Sequence, residues 1–312
     1  MEMVLESLDL DMQYKMKDDL IVAIQMLTYN HELFITQAIE SVMIQNTNFR
    51  YKLILCEDFS TDNTRNLCIN LKNKYPNKIE LVLNESNLGV VTNSVKIHKL
   101  CFDSGAKYIA LCEGDDFWTD PNKLQKQVDF LEANKEYSFC GHGVAILNQN
   151  LGKITGTYSP KKNILELKDM VLGPPFHTSS LVYRNNYKFH NIVSKLPAGD
   201  DAIECILASK GKAYSFPEEM SVYRHSEVGT WSTLSQYDKN FKTLVIQLWI
   251  VRNYPIRLER QTKRIYTLFS SLKKNKKLFS NSFTLTDSCS IVIAILFYKC
   301  YYYLSKLKNG II

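Results

Sequence analysis

The eleven residues Cys112–Asn122, CEGDDFWTDPN, crowd Glu113, Asp115 and Asp116 into one short stretch. They follow the apolar run Tyr108–Leu111, which reads as a buried strand, so the acids sit where that strand ends. Asp120 and Pro121 look like an N-cap and first helical residue, opening a helix with Leu124, Val128 and Leu131 on one face. Adjacent carboxylates repel, and a cluster of them at a strand end makes most chemical sense around a cation. Carboxylate oxygen is the ligand that magnesium, manganese and calcium prefer. A solvated acidic turn would show the same residues, so the surrounding elements must decide.

Those elements alternate. Leu20–Leu27 is an apolar strand, and Ile35, Ala38, Ile39, Val42 and Met43 then recur at helical spacing. Tyr51–Cys56 is a second strand, Thr61–Tyr75 a helix, Ile79–Leu83 a third strand, Val90–Phe102 a helix and Tyr108–Cys112 a fourth strand. This rhythm predicts βαβ units with right-handed crossovers and a mostly parallel, Rossmann-like sheet flanked by helices. Ligands of such sheets bind beyond the carboxyl ends of the strands, where Tyr29, Asp58, Asp115 and Asp116 all fall. The turn after the first strand is TYNHE, not the glycine-rich dinucleotide fingerprint, and no P-loop occurs. With no glycine cradle, a metal held by acids is the natural partner for a diphosphate.

Composition bounds the rest. Of 312 residues, 45% are hydrophobic and 22% charged, as in an ordinary globular protein of one large domain with an appendage, or two domains. Eight scattered cysteines, with no Cys-x-x-Cys pair, suggest neither a zinc site nor a disulfide framework. Residues 1–19 are mixed and acidic, without the apolar centre of a secretory signal, so a cytoplasmic setting is expected. The net charge of +6 hides an asymmetry: from Ser232 onward fourteen Lys and Arg face three acids, +11, which leaves −5 for the rest. The expected organisation is an N-terminal extension (1–19), an α/β domain (20–231) and a basic, mainly helical C-terminal region (232–312).

Four blocks in order, TYNHELFITQAIESVMIQ, CEDFSTDNT, NESNLG and CEGDDFWTDPNKLQKQVDFL, resemble the family 2 glycosyltransferases of the GT-A fold, with YRHSEVGTWS as a further familiar block. The resemblance runs from about Leu20 to about Trp231. It implies a nucleotide-sugar donor held by Thr28, Tyr29, Glu32, Asp58, Asn87, Gly89 and Asp115. Asp115 and Asp116 would form the DXD-type motif, with Asp116 nearest a divalent cation (Mn²⁺ or Mg²⁺) and His225 joining its shell. Tyr223, Arg224 and Trp231 would lie on the acceptor or diphosphate side. The chain departs from the family pattern at Met26-Leu27-Thr28, where many members have Pro or Thr, and at Phe59, where Gly is usual.

In the second half, Ser138–Leu147 and Ser179–Arg184 read as strands and Leu165–Leu172 as a short helix. Gly199-Asp200-Asp201 precedes a helix with Ile203, Ile206 and Leu207 on its inner face. The resemblance makes an aspartate here the base of an inverting transfer; Asp200 fits that frame better than Asp201, and a helix N-terminal acid would look alike. His142 and His177 have no comparable frame. Retention of configuration is not excluded. The implied acceptor is a glycan or lipid-linked saccharide. A sugar-nucleotide pyrophosphorylase would normally show a glycine-rich, basic N-terminal loop, absent here; intact acids argue against a non-catalytic binding module. No recognised motif supports nucleic acid as a partner of the basic tail. Its charge, with the run Ile291–Tyr298, predicts instead peripheral contact with an anionic, cytoplasmic membrane face; packing on the body or oligomer contact is the alternative.

Overall fold

In the computed structural model, residues 20–273 are described, except 190, 191, 193, 197, 198, 226–228 and 230 and the side chains of Asp200 and Lys273. The expected N-terminal extension and the tail beyond Lys273 therefore lie outside the described residues.

β1 (Leu20–Thr28) is buried without a break from Ile21 to Met26, as a strand covered on both faces must be. It pairs in parallel with β2 (Arg50–Glu57) on one side and β4 (Tyr108–Leu111) on the other, and β2 pairs in parallel with β3 (Ile79–Leu83). The helices Ile35–Met43, Thr64–Lys74 and Gly89–Asp103 make the crossovers. Period-two alternation splits the core. Val22, Ile24 and Met26 join one apolar cluster with Ile35, Ile39, Leu124 and Val128. Ala23 joins the other, with Ile97, Ile203 and Leu207.

The parallel expectation describes this half. Beyond β4 the sheet is mixed, continuing β4-β9-β6-β10-β5. β9 (Val182–Arg184) runs antiparallel to both β4 and β6 (Tyr137–Asn148). β10 (Lys212–His225) is parallel to β6, and the two-residue β5 (Phe117–Trp118) is antiparallel to β10. β7 (Lys153–Tyr158) and β8 (Ile164–Leu165) attach to β6 and β10. Gln236–Asn253 and Leu258–Lys273 are helices, and Ile246 and Ile250 of the first enter the second core cluster.

Local expectations change in places. The short helix expected over Leu165–Leu172 is Leu167–Met170, because Leu165 pairs in β8 instead. The helix expected from Pro121 is Lys123–Ala133, because Asp120 spends its carboxylate on the Asn122 N–H (2.8 Å) and forms a turn first. The strand expected from Ser179 begins only at Val182; Thr178–Ser180 is a 3₁₀ turn whose Ser180 hydroxyl bonds back to the His177 carbonyl at 2.7 Å. That turn is fastened from below. Trp118 Nε1 donates to the Ser179 carbonyl (3.0 Å) and Gln127 Nε2 to the Ser180 carbonyl (2.8 Å). Fully buried Lys123 in turn gives its Nζ to Gln127 Oε1 (2.8 Å), 4.1 Å from the centre of the Trp118 ring.

Burial lowers the Lys123 ammonium from the ordinary 10.5 to about 7. Between those values the unfolded chain binds a proton that the folded chain has lost, so raising the pH through this window stabilises the fold; below about 7 the full cost of burying the charge is borne. Urea midpoints of wild type and Lys123→Met test this. The wild type should gain on the variant by roughly 1 kcal/mol per pH unit above pH 7, near the limit for one proton. A pH-independent difference would mean that the ammonium stays charged on the indole face.

Candidate functional site

The carboxyl ends of the parallel strands are stitched together by backbone bonds: Asp58 N–H to the Thr28 carbonyl (3.0 Å), Gly114 N–H to Leu27 (2.9 Å) and Asn84 N–H to Glu57 (3.0 Å). The turns after β1 and β2 then zip to one another. Asn30 N–H donates to Ser60 Oγ and Asn30 Oδ1 accepts from Thr61 N–H, while Glu32 N–H donates to Asp62 and Glu32 Oε2 accepts from Asn63 N–H. Phe59 stands at φ 60° in this lock, so the chain adopts the left-handed conformation without the usual glycine. Its strain, of order 1–2 kcal/mol, is offset by the Arg65 guanidinium 5.0 Å from the ring centre.

Above these strand ends opens a cleft of about 750 Å³. Its lining includes Tyr29, 40% exposed, and the neighbouring group Asp58, Asn87 and Gly89. Asp58 is buried; its oxygens accept from Asn84 Nδ2 (2.7 Å), Leu88 N–H (2.9 Å) and Gly89 N–H (3.0 Å). It thus caps the Gly89–Asp103 helix, and three donors leave a carboxylate room for about one more. Asn87 Oδ1 adds a bond to the same Gly89 N–H (2.9 Å).

The cleft floor holds Glu113, Asp115 and Asp116. Gly114 between them has no room for a side chain, since a Cβ would come within 2.8 Å of Thr28. Asp116 is 2% exposed, and Oδ1 accepts the Arg224 N–H at 2.9 Å. Burial, and then the Asp115 carboxylate, push its carboxyl well above the usual range. The Arg224 side chain, itself buried, lies between the Phe34 (5.1 Å) and Phe117 (4.6 Å) rings and bonds to Gln37 and Gln149. Its charge steadies the floor without an ion pair to Asp116.

Thr28, Tyr29, Asp58, Asn87, Gly89, Asp115, Asp116, Tyr223, Arg224 and Trp231 therefore converge on one cleft. Glu32 does not line it; its carboxylate serves the loop lock. His225 is exposed at the end of β10 and also lies outside the lining. Gly199 lines the cleft and Asp200 begins the helix Asp200–Ala208; Asp201, one residue on, is not a lining residue. Two histidines and a lysine of the lining were not read as site residues. His31 Nε2 is 3.9 Å from Asp115 Oδ2, and His177 Nδ1 is 3.8 Å from Asp116 Oδ2. Lys242 reaches the wall from the Gln236–Asn253 helix. A His-Thr-Ser-Ser run, able to cap its own short turn, was the only available signal for His177.

Among the described residues, no three His, Cys, Asp or Glu side chains are grouped closely enough to hold a metal by themselves. The donors that are present, Asp115 and Asp116, are hard oxygens, and Asp116 Oδ2 is not used by the Arg224 bond. That set fits a magnesium- or manganese-type ion completed by phosphate oxygens and water.

The sequence profile of Glycosyl transferase family 2 matches residues 23–184. Uncharacterized proteins of Mycobacterium tuberculosis and M. bovis are 32% identical over 212 residues, 67% of this chain, and the chain spans only 60% of their length. The Escherichia coli UDP-Glc:α-D-GlcNAc-diphosphoundecaprenol β-1,3-glucosyltransferase WfgD is 34% identical over 146 residues, 46% of this chain and 53% of its own. In fold, the chain is similar to S. aureus TarS 1–349 in complex with UDP-GlcNAc (TM-score 0.60, 17% identity, 88% of this chain and 79% of that one). It is also similar to the mannosyltransferase PcManGT from Pyrobaculum calidifontis in complex with GDP-Man and Mn²⁺ (TM-score 0.54, 13% identity, 98% and 91%). With more than half its length matched by that profile, and with a GT-A-type sheet beneath the acidic cleft, the chain belongs to glycosyltransferase family 2.

Proposed function

We propose that this protein transfers a sugar from a nucleotide-diphosphate donor, a UDP-sugar in the first instance, to a glycan or lipid-linked saccharide acceptor, with inversion in a single displacement. One observation carries the reading: Tyr29, Asp58, Asp115, Asp116 and Gly199, the last directly preceding the helix Asp200–Ala208, all line a single cleft. The solved structures similar in fold hold UDP-GlcNAc or GDP-Man with Mn²⁺, and WfgD uses UDP-Glc and a diphosphate-lipid acceptor, which supports the same chemistry here.

Tyr29 lies against the base, and the remaining acceptor capacity of Asp58 takes a base N–H. Asp115 and Asp116 would hold a divalent cation, which would supply charge neutralisation on the leaving diphosphate. The Arg224 N–H fixes one oxygen of Asp116 and so orients the other. Asp200 takes the proton as the acceptor O–H breaks, while the new C1–O bond forms and the C1–O bond to phosphate breaks. The Gly199-Asp200 frame, with apolar Ile203 three residues on, favours it over Asp201.

Asp116→Asn keeps the volume and removes the charge, so turnover with added Mn²⁺ should fall by orders of magnitude while circular dichroism stays native. Full activity in this variant, or in wild type under excess EDTA, overturns the metal assignment. Asp200→Asn should lower kcat by about a thousandfold or more and leave nucleotide-sugar affinity intact, as expected when a general base is lost. If Asp201→Asn is the dead variant instead, the base lies one residue on.

Among the described residues no helix is long and apolar enough to cross a membrane. The +11 charge beyond Trp231 supports peripheral contact of that region with anionic lipid, which suits an enzyme that extends a lipid-linked acceptor at the cytoplasmic face. Liposome flotation reads this out: full-length protein should float with anionic vesicles, less so at high salt, and a chain cut after Thr286 should not. Equal behaviour of the two chains would favour packing on the body.

A further inference from the structure

His177 is mounted more firmly than a wall residue requires. Its ring is wedged between Tyr223 (centroids 4.5 Å apart) and Tyr158 (5.9 Å). The turn that follows it is pinned through its carbonyls by Trp118 and Gln127. Behind it, Gly141 is obligatory, because any Cβ there would collide with the Phe176 ring and the Ser180 hydroxyl. A satisfied buried polar network of this kind rigidifies what it carries.

The mounting also sets the tautomer. Nδ1 accepts the Ser179 N–H (3.3 Å) and stands 3.0 Å from Ser179 Oγ, which is 2.9 Å from Ser221 Oγ. An imidazole that accepts at Nδ1 carries its proton at Nε2. No hydrogen bond to Nε2 occurs among the described residues, although His177 is a lining residue of the cleft. The result is an oriented, unspent N–H donor.

Its place along the cleft indicates what it meets. In the proposed reading Tyr29 and Asp58 would take the nucleotide, Asp115 and Asp116 the diphosphate, and Asp200, next to the lining Gly199, the acceptor proton. His177 adjoins Asp116 and shares the cleft wall with Thr178, Leu196 and Gly199. The group that lies between a metal-bound diphosphate and the base is the transferred sugar. We propose that His177 is a sugar-recognition residue, its Nε2–H donating to an oxygen of the donor's hexose ring or its substituents. This rests on the nucleotide-sugar reading above.

The test is calorimetric titration, in MnCl₂, of wild type, His177→Phe and His177→Gln with UDP and GDP and with UDP-glucose, UDP-galactose, UDP-N-acetylglucosamine and GDP-mannose. Phe keeps the ring and loses the donor; Gln can carry an amide N–H to about the position of Nε2. For the sugar nucleotide that wild type binds best, His177→Phe should lose roughly tenfold in affinity, one hydrogen bond's worth. The bare nucleotide should bind within about twofold of wild type, and Gln should restore part of the loss. Equal losses for bare nucleotide and sugar nucleotide would overturn the inference, as would no loss at all, with the donor reading left standing. Wild type that binds none of the six nucleotides would overturn the donor reading, and this inference with it.

Discussion

A carboxylate buried to 2% exposure is the constraint around which the rest of this structure is arranged. An unpaired buried charge costs several kilocalories per mole even after relaxation, whereas the single Arg224 N–H that reaches Asp116 returns about 1.5–3 kcal/mol, as a bond to a charged group. The balance explains why the carboxyl is pushed towards its neutral form. It also explains the odd geometry of the sheet's far edge. β5 is only two residues long, yet its pairing with β10 through Val222 and Ser221 is what carries the Arg224 N–H to Asp116. The guanidinium of the same residue is held by two aromatic rings and two glutamines and makes no ion pair with Asp116.

Elsewhere in the cleft the same economy of acids holds. Asp58 is read from the sequence as a nucleotide contact, and in the fold it is first a cap, binding two backbone N–H groups and an asparagine amide. The two roles are compatible because a carboxylate has more lone pairs than the cap uses. A side chain already locked by three donors presents its remaining acceptor direction with little entropy left to lose. Glu57, fully buried beside it, does the same for the Phe59 turn by accepting the Ser60 N–H and pairing with Arg65.

The parallel half of the fold was legible because its strands are mostly apolar runs, broken only singly by Gln25, Lys52 and Glu80, and apolar residues recur at helical spacing between them. Ile79–Leu83 is found as read, and the other boundaries move by a few residues. The strand-end rule then brought Tyr29, Asp58 and Asp115 to one place without any knowledge of contacts. β10 was not legible. Pro217, Glu218 and Glu219 interrupt it, and its pairing with β6 shifts register between Phe216 and Glu219 and again before Ser221, so no period survives. His177 was invisible for a different reason: its neighbours Asp116, Tyr158 and Tyr223 are remote in sequence, and only the antiparallel β9 and the 3₁₀ turn before it bring them together.

Charge and packing draw different borders in this chain. The change of sign near Trp231 is real, yet Trp231, Ser232, Thr233, Leu234 and Lys242 line the same cleft as Asp58 and Asp116. Ile246 and Ile250, farther along the same helix, are fully or almost fully buried in the cluster that contains Ile203 and Leu207 of the Asp200 helix. The two helices therefore leave the cleft side by side: the first carries the proposed base at its start, the second carries a lysine into the wall. The basic region thus begins inside the site, and Lys242 adds a positive charge to an otherwise acid-floored cleft.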